Sequence, residues 1–195
     1  MTKQEFASRL QNACAAVTAA EQELTEIDSR FGDADHGLTM SKIAKAVSAA
    51  AGESEGGIQA MLDDAAMAVM VLNGGSAVPL WNTWLDGLQE EAPEVNEIDT
   101  AGIQAIFAKA LKALSDMSGA KVGDKTMMDA LIPASQAIAA YEGDSADGLF
   151  AAAAQAAAQG IEEIVAGVGK SLHDGLVRVL IQGILIDPAL GSSGL

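Results

Sequence analysis

Cysteine is nearly missing from this chain of 195 residues: Cys14 stands alone, so no intrachain disulfide can form. Its place in an amphipathic stretch predicts a buried, small apolar side chain, and a reducing cytoplasm is compatible with it. Basic residues are also scarce. Eleven Lys and Arg face 27 Asp and Glu, giving a formal net charge of -16. Such a field repels phosphates, which argues against binding nucleic acid or an anionic membrane surface, and means that a phosphate ligand would need metal ions. The plainer reading of the acidity is a well-solvated surface. No run approaches the roughly 20 apolar residues of a membrane span, and the start, MTKQEFASRL, has no apolar signal core. The expectation is a soluble, unsecreted, cytoplasmic protein. Aromatic residues make up only 4% while half of the chain is hydrophobic and alanine is abundant, a composition for close-packed helices. One domain spanning 1–195 and an all-α class are expected.

Apolar spacing divides the chain into eight predicted helices. Phe6, Leu10, Cys14, Val17, Leu24 and Ile27 mark the first, over 3–29, with Gly32 near its end. The second covers 37–52 and stops at the Gly52 to Gly57 connector. Ile58, Met61, Leu62, Ala65 and Val69 define the third, which ends at Gly74 and Gly75. A short helix through Leu80, Trp84 and Leu88 follows the turn at Pro79. Asp99 or Thr100 can cap the fifth, which carries Ile103, Ile106, Phe107, Ala110, Leu111 and Leu114. The sixth covers 126–141, with Pro133 expected to kink it or restrict its first turns. The seventh runs over 145–166 and the eighth over 172–184. Short connectors favour antiparallel neighbours in a bundle or closed barrel.

One loop concentrates the chemistry. In IDSRFGDADHG, Asp33 and Asp35 alternate and can point to one side of an extended backbone, while Asp28 approaches from the preceding helix. Hard cations such as Mg²⁺ take a few carboxylates together with phosphate and water oxygens. A nucleotide diphosphate could not sit beside three carboxylates without cations, and about two dications would nearly neutralise the set. The start of the following helix can offer amide N–H groups to a phosphate. A bare DxD, however, more often caps and solvates a loop. His36 can contact a nucleotide or hold the loop by hydrogen bonding. An EF-hand is ruled against by the missing terminal Glu of its ligand pattern. AGVGKS, at Gly169, Lys170 and Ser171, lacks the first glycine of a P-loop, because Ile164 stands there. Trp81 and Trp84 suit a core or a partner surface equally.

Two further segments, LNGGSAVPLWNT and GDKTMMDALIP, follow DSRFGDADHGLTM in order. Together the three resemble the signature regions of the nucleotide-binding L subunit, or domain, of dihydroxyacetone kinases, over residues from about 5 to 189. The resemblance implies an eight-helix antiparallel barrel with ADP or ATP and two Mg²⁺ ions at one end. Asp28, Asp33 and Asp35 would ligate the metals; His36, Gly37, Leu38, Thr39, Ser76, Ala77, Gly119 and Met127 would line the nucleotide, and Asp187 and Pro188 would match an Asp-Pro-Gly segment. It implies phosphoryl transfer to dihydroxyacetone or a related short ketose or tetrose held by a K-type substrate-binding subunit. The donor would be ATP or a phosphohistidine carrier protein that recharges bound ADP. Three departures stand out. The family's Gly-Gly-Ala-Ser-Gly-Pro turn reads Gly74-Gly75-Ser76-Ala77-Val78-Pro79, its Gly-Arg-Ala-Ser-Tyr motif is replaced around His173 and Asp174, and Ala189 stands for a final glycine. They open a second reading, a noncatalytic nucleotide-binding regulator with the same fold.

Overall fold

The computed structural model describes residues 1–30 and 32–165, the side chains up to 161; the predicted helix at 172–184 and residues Asp187 and Pro188 lie outside them. Among the described residues there are eight helices and no strand. They are α1 (Lys3–Ala19), α2 (Glu21–Asp28), α3 (His36–Glu53), α4 (Ile58–Met70), α5 (Ala77–Glu90), α6 (Thr100–Ser118), α7 (Met128–Ala140) and α8 (Ala146–Val165). Successive helices from α3 to α8 pack side by side, α1 packs on α3, and α2 packs on α3 as well. The ring closes between α8 and α1, where the Arg9 guanidinium lies 5.4 Å from the centre of the Phe150 ring and pairs with Asp147. The result is the antiparallel helical barrel that short connectors favour.

The predicted first helix is two. It breaks at Ala20, which has φ -88° and ψ 4° and is buried. Neither Gly nor Pro causes the break, so periodicity alone runs straight through it. The Thr18 hydroxyl donates to the Cys14 carbonyl and the Thr25 hydroxyl to that of Glu21, back-bonding that bends helices. Glu21 and Glu23 then fall in a new first turn, where acidic side chains suit the helix dipole. Reorienting α2 buries Leu24 completely and brings Asp28 to the loop that follows.

Pro133 sits inside α7 without ending it. Lacking an N–H, it leaves the Asp129 carbonyl without the usual intrahelical donor. Gly160 of α8 passes over this oxygen, and any Cβ there would overlap it. The α7–α8 pair therefore packs at the closest range a glycine allows.

Inside the ring, Leu24, Met40, Ile58, Met61, Leu62, Ile103, Ile106, Leu114, Met128, Ile138 and Leu149 are each at most 2% exposed and belong to one continuous core. The side chains from α1 and α3 to α8 leave an almost wholly apolar cavity of about 160 Å³ on the barrel axis. Trp84, Phe107 and Phe150 line it in an edge-to-face chain, with ring centres 5.9 and 6.0 Å apart. Both tryptophans are core residues.

The two barrel ends differ. At one, the segment before α6 lies across the helix ends: Lys3 N donates to Asn96 O at 2.7 Å, Ile98 N to Met1 O at 2.9 Å, and Ile58 N to Val95 O at 3.0 Å. A capping box between Thr2 and Glu5 starts α1 there. At the other end lie the α2–α3, α4–α5 and α6–α7 loops, which hold all three signature segments. No helix among the described residues is long and apolar enough to cross a membrane.

Candidate metal and nucleotide site

Asp28 ends α2 and is 6% exposed. Its Oδ2 accepts the backbone N–H of Asp35 at 3.1 Å and that of His36 at 3.2 Å, so a buried carboxylate caps α3 from another helix. Asp35 occupies the N-cap position without using its own side chain as a cap. Between them Ala34 adopts φ 61°, which turns the backbone and leaves Asp33 and Asp35 exposed on the Asp28 side. One carboxylate oxygen from each aspartate lies within 4.8 Å of the others. No other grouping of three or more acidic, His or Cys side chains with metal-binding geometry occurs among the described residues.

This crowding bears most directly on Asp35. Partial desolvation, a hydrogen bond shared with Asp33, and the Asp33 and Asp28 charges all push its pKa above the usual carboxylate value, with His36 opposing. Burial lowers the His36 pKa, against the pull of Asp28 and Asp35. Three carboxylates gathered this closely fit a hard dication, which would replace mutual repulsion with attraction.

The expected nucleotide-lining residues occupy several environments. Leu38 is 46% exposed in the first turn of α3, whereas Thr39 is buried beneath it. Gly37 is buried too, and its role is packing: a Cβ would overlap the Glu21 carbonyl oxygen and the Thr25 hydroxyl, so the glycine lets α3 start against α2. Its amide and that of Leu38 have no acceptor among the described residues, as first-turn amides often do not. The α4–α5 loop is adjacent, since a Cβ on Gly74 would lie 2.9 Å from Thr39 Cγ2. Ser76 is exposed at the start of α5, and Ala77 is buried behind it. Val78, where the resemblance would place a glycine, is buried in the core with its Cγ2 packed against Gly74 of the loop.

Gly119 ends α6 in a left-handed conformation, φ 64°, on the α6–α7 loop. Met127 is buried at the other end of that loop and lines the axial cavity together with Met40 of α3, and the aspartate cluster and the GDKT segment lie at the same end of the barrel. The sequence reading missed Asp129. This side chain, 3% exposed, accepts Gly123 N at 2.5 Å and Thr126 N at 2.7 Å. The signal for it was present: Thr126 and Asp129 have the spacing of a capping box, and Thr126 Oγ1 accepts Met128 N at 3.2 Å. Each end of the site is thus built on a buried aspartate that folds a loop by accepting two amides.

The model of the DAK2 domain family matches residues 30–171. The chain belongs to the DAK2 domain family. Among curated relatives of this DAK2 domain, the D-erythrulose kinase of Mycolicibacterium smegmatis is 38% identical over 121 residues, 60% of this chain and 21% of that protein. The ADP-binding subunit DhaL of a PEP-dependent dihydroxyacetone kinase from Listeria innocua is 26% identical over 178 residues, 87% of this chain and 82% of that subunit. The human triokinase/FMN cyclase is 25% identical over 177 residues, 87% of this chain and 30% of that enzyme. The chain therefore spans about a fifth to a third of the kinases it matches and most of the free-standing subunit. Two crystal structures of the dihydroxyacetone kinase of C. freundii share the fold. The native form superposes with a TM-score of 0.72 at 19% identity, covering 92% of this chain and 33% of that one. The form complexed with AMP-PNP and Mg²⁺ gives 0.69 at 23%, covering 96% and 33%.

Proposed function

We propose that this DAK2 domain is the nucleotide-carrying subunit of a phosphotransferase acting on dihydroxyacetone or a related short ketose or tetrose held by a K-type partner. The observation that carries the reading is the set of three aspartate oxygens within 4.8 Å of one another at the open end of the barrel. The free-standing DhaL relative, matched over most of its length and described as ADP-binding, supports it.

Asp28, Asp33 and Asp35 would hold Mg²⁺, two ions by the charge argument, and when bound these would neutralise the nucleotide phosphates and withdraw charge from the group in transfer. The chain's own part is positioning. Asp28 fixes the start of α3, which aims the Gly37 and Leu38 amides at the mouth, where anions are favoured by the helix N-terminus. Thr39 and the Gly74–Ser76 loop form the adjoining wall. Such catalysis rests on orientation and electrostatics, and no general base is assigned within this chain. The acceptor-side base would belong to the partner.

The same end is rimmed by exposed apolar side chains: Leu38, Met70, Val71, Met117 and Val122 are each 46–74% exposed. An apolar ring around an acidic mouth suits a partner that must cover the site and exclude water during transfer. The regulator reading rests on the altered α4–α5 turn, where Val78 packs into the core, and on the replaced Gly-Arg-Ala-Ser-Tyr motif, which lies outside the described residues. The test mixes the purified chain with its K-type partner and measures transfer to short ketoses from ATP and from a phosphohistidine donor. Turnover with either supports the proposal; binding of Mg-nucleotide without turnover on any acceptor favours the regulator.

A further inference from the structure

We propose that Lys125 reads the terminal phosphate of the bound nucleotide and that Asp129 is the positioning residue that holds it there, an inference that rests on the nucleotide-binding role proposed above.

Four observations converge on this lysine. Its φ is 60°, a left-handed conformation that L side chains rarely adopt and that a glycine would take without strain. The conformation is imposed from both sides, because the Asp129 carboxylate accepts Gly123 N, two residues before it, and Thr126 N, immediately after. Asp124 pins the start of the same loop by accepting Lys121 N at 2.8 Å. Finally, Lys125 is exposed and takes no part in an ion pair among the described residues, in a protein whose net charge is -16.

A buried carboxylate is tolerated only where hydrogen bonds compensate it, so Asp129 fixes the loop rigidly. The loop it fixes lies at the same end of the barrel as the aspartate cluster, because α3 and α7 both start there, opposite the end where Met1, Ile58 and Ile98 meet. Three acidic side chains on one loop and a cation outside any ion pair on another loop polarise this end of the barrel. A nucleoside diphosphate or triphosphate, its metal-bound oxygens toward the aspartates, would offer its remaining phosphate oxygens to that cation. A nucleoside monophosphate has fewer such oxygens, and its affinity should depend less on the lysine.

The test measures affinity by calorimetry for adenosine, AMP, ADP and AMP-PNP with Mg²⁺, using the full chain and the variants Lys125→Met, Lys125→Arg and Asp129→Asn. Lys125→Met should weaken ADP and AMP-PNP by about tenfold or more, the size of one lost charge-assisted hydrogen bond, and leave adenosine and AMP within about twofold. Lys125→Arg should recover most of the loss. Asp129→Asn, checked for helical content by circular dichroism, should reproduce the same phosphate-selective loss with the lysine intact. An equal loss on all four ligands, or none on any, overturns the inference while the function proposed above stands. A parent chain that binds no Mg-nucleotide overturns both.

Discussion

Two substitutions that remove the same charge from the aspartate cluster should move stability in opposite directions. Asp28→Ala takes away the acceptor of two amide bonds, at 3.1 and 3.2 Å, from a carboxylate that is 6% exposed. Bonds to a charged group contribute about 1.5–3 kcal/mol each, and the favourable placement at a helix N-terminus about 0.3–1 kcal/mol more. These bonds are long, so the low end applies and the total loss is about 3 kcal/mol. For a chain of this size that is a fall in Tm of roughly 6–12 °C. Asp33→Ala takes no acceptor away from a backbone amide among the described residues and removes a like charge that raises the Asp35 pKa, so the metal-free protein should become slightly more stable. The assay is urea unfolding followed by circular dichroism at 222 nm in EDTA, which keeps metal linkage out of the comparison. Equal effects of the two substitutions, or an Asp28→Ala loss below about 0.5 kcal/mol, would refute the division of the cluster into one structural cap and two open ligands.

Other consequences are simpler to check. Gly37→Ala should destabilise the chain by about 1–3 kcal/mol and separate α2 from α3, because its Cβ meets backbone; thermal unfolding reads this directly. Burial pushes the Cys14 thiol up to about 12, so it should resist alkylation at pH 8 in the native protein and react once unfolded. Because that folded-state pKa exceeds the unfolded one near 9, the associated stability is intact below pH 9 and is lost progressively as pH rises toward 12, visible as a falling Tm. Val71→Asp with Met117→Asp should leave nucleotide affinity nearly unchanged and abolish transfer by weakening the partner complex, measurable by sedimentation.

Helix positions were legible because their apolar spacing is regular: Ile58 through Val69 and Ile103 through Leu114 are buried as their periodicity predicts. Connectors marked by Gly, Pro or Asp appeared where those residues stand. The break at Ala20 was not legible, since it depends on threonine back-bonding and on what α2 packs against, and no punctuating residue marks it. The three aspartates were legible as a candidate cluster, but their inequality was not. Burial separates Asp28, a cap, from Asp33 and Asp35, which face solvent. Gly37 was expected to line the nucleotide, and its environment shows a packing contact with α2. Met127 illustrates the same limit: spacing could place it on the α6–α7 loop, yet only the fold shows that it points into the barrel. Asp129 stands at capping-box spacing from Thr126, yet only the fold shows that its buried carboxylate accepts two amides of the α6–α7 loop.

The central claim is that the aspartate cluster binds nucleotide through Mg²⁺. Calorimetry with ADP on the parent chain and on the double variant Asp33→Ala with Asp35→Ala, each with Mg²⁺ and with EDTA, tests it most directly. The account predicts binding by the parent chain that requires Mg²⁺, and a loss of about a hundredfold or more in the double variant. Equal affinity in both proteins, or binding by the parent chain that is indifferent to EDTA, would contradict it.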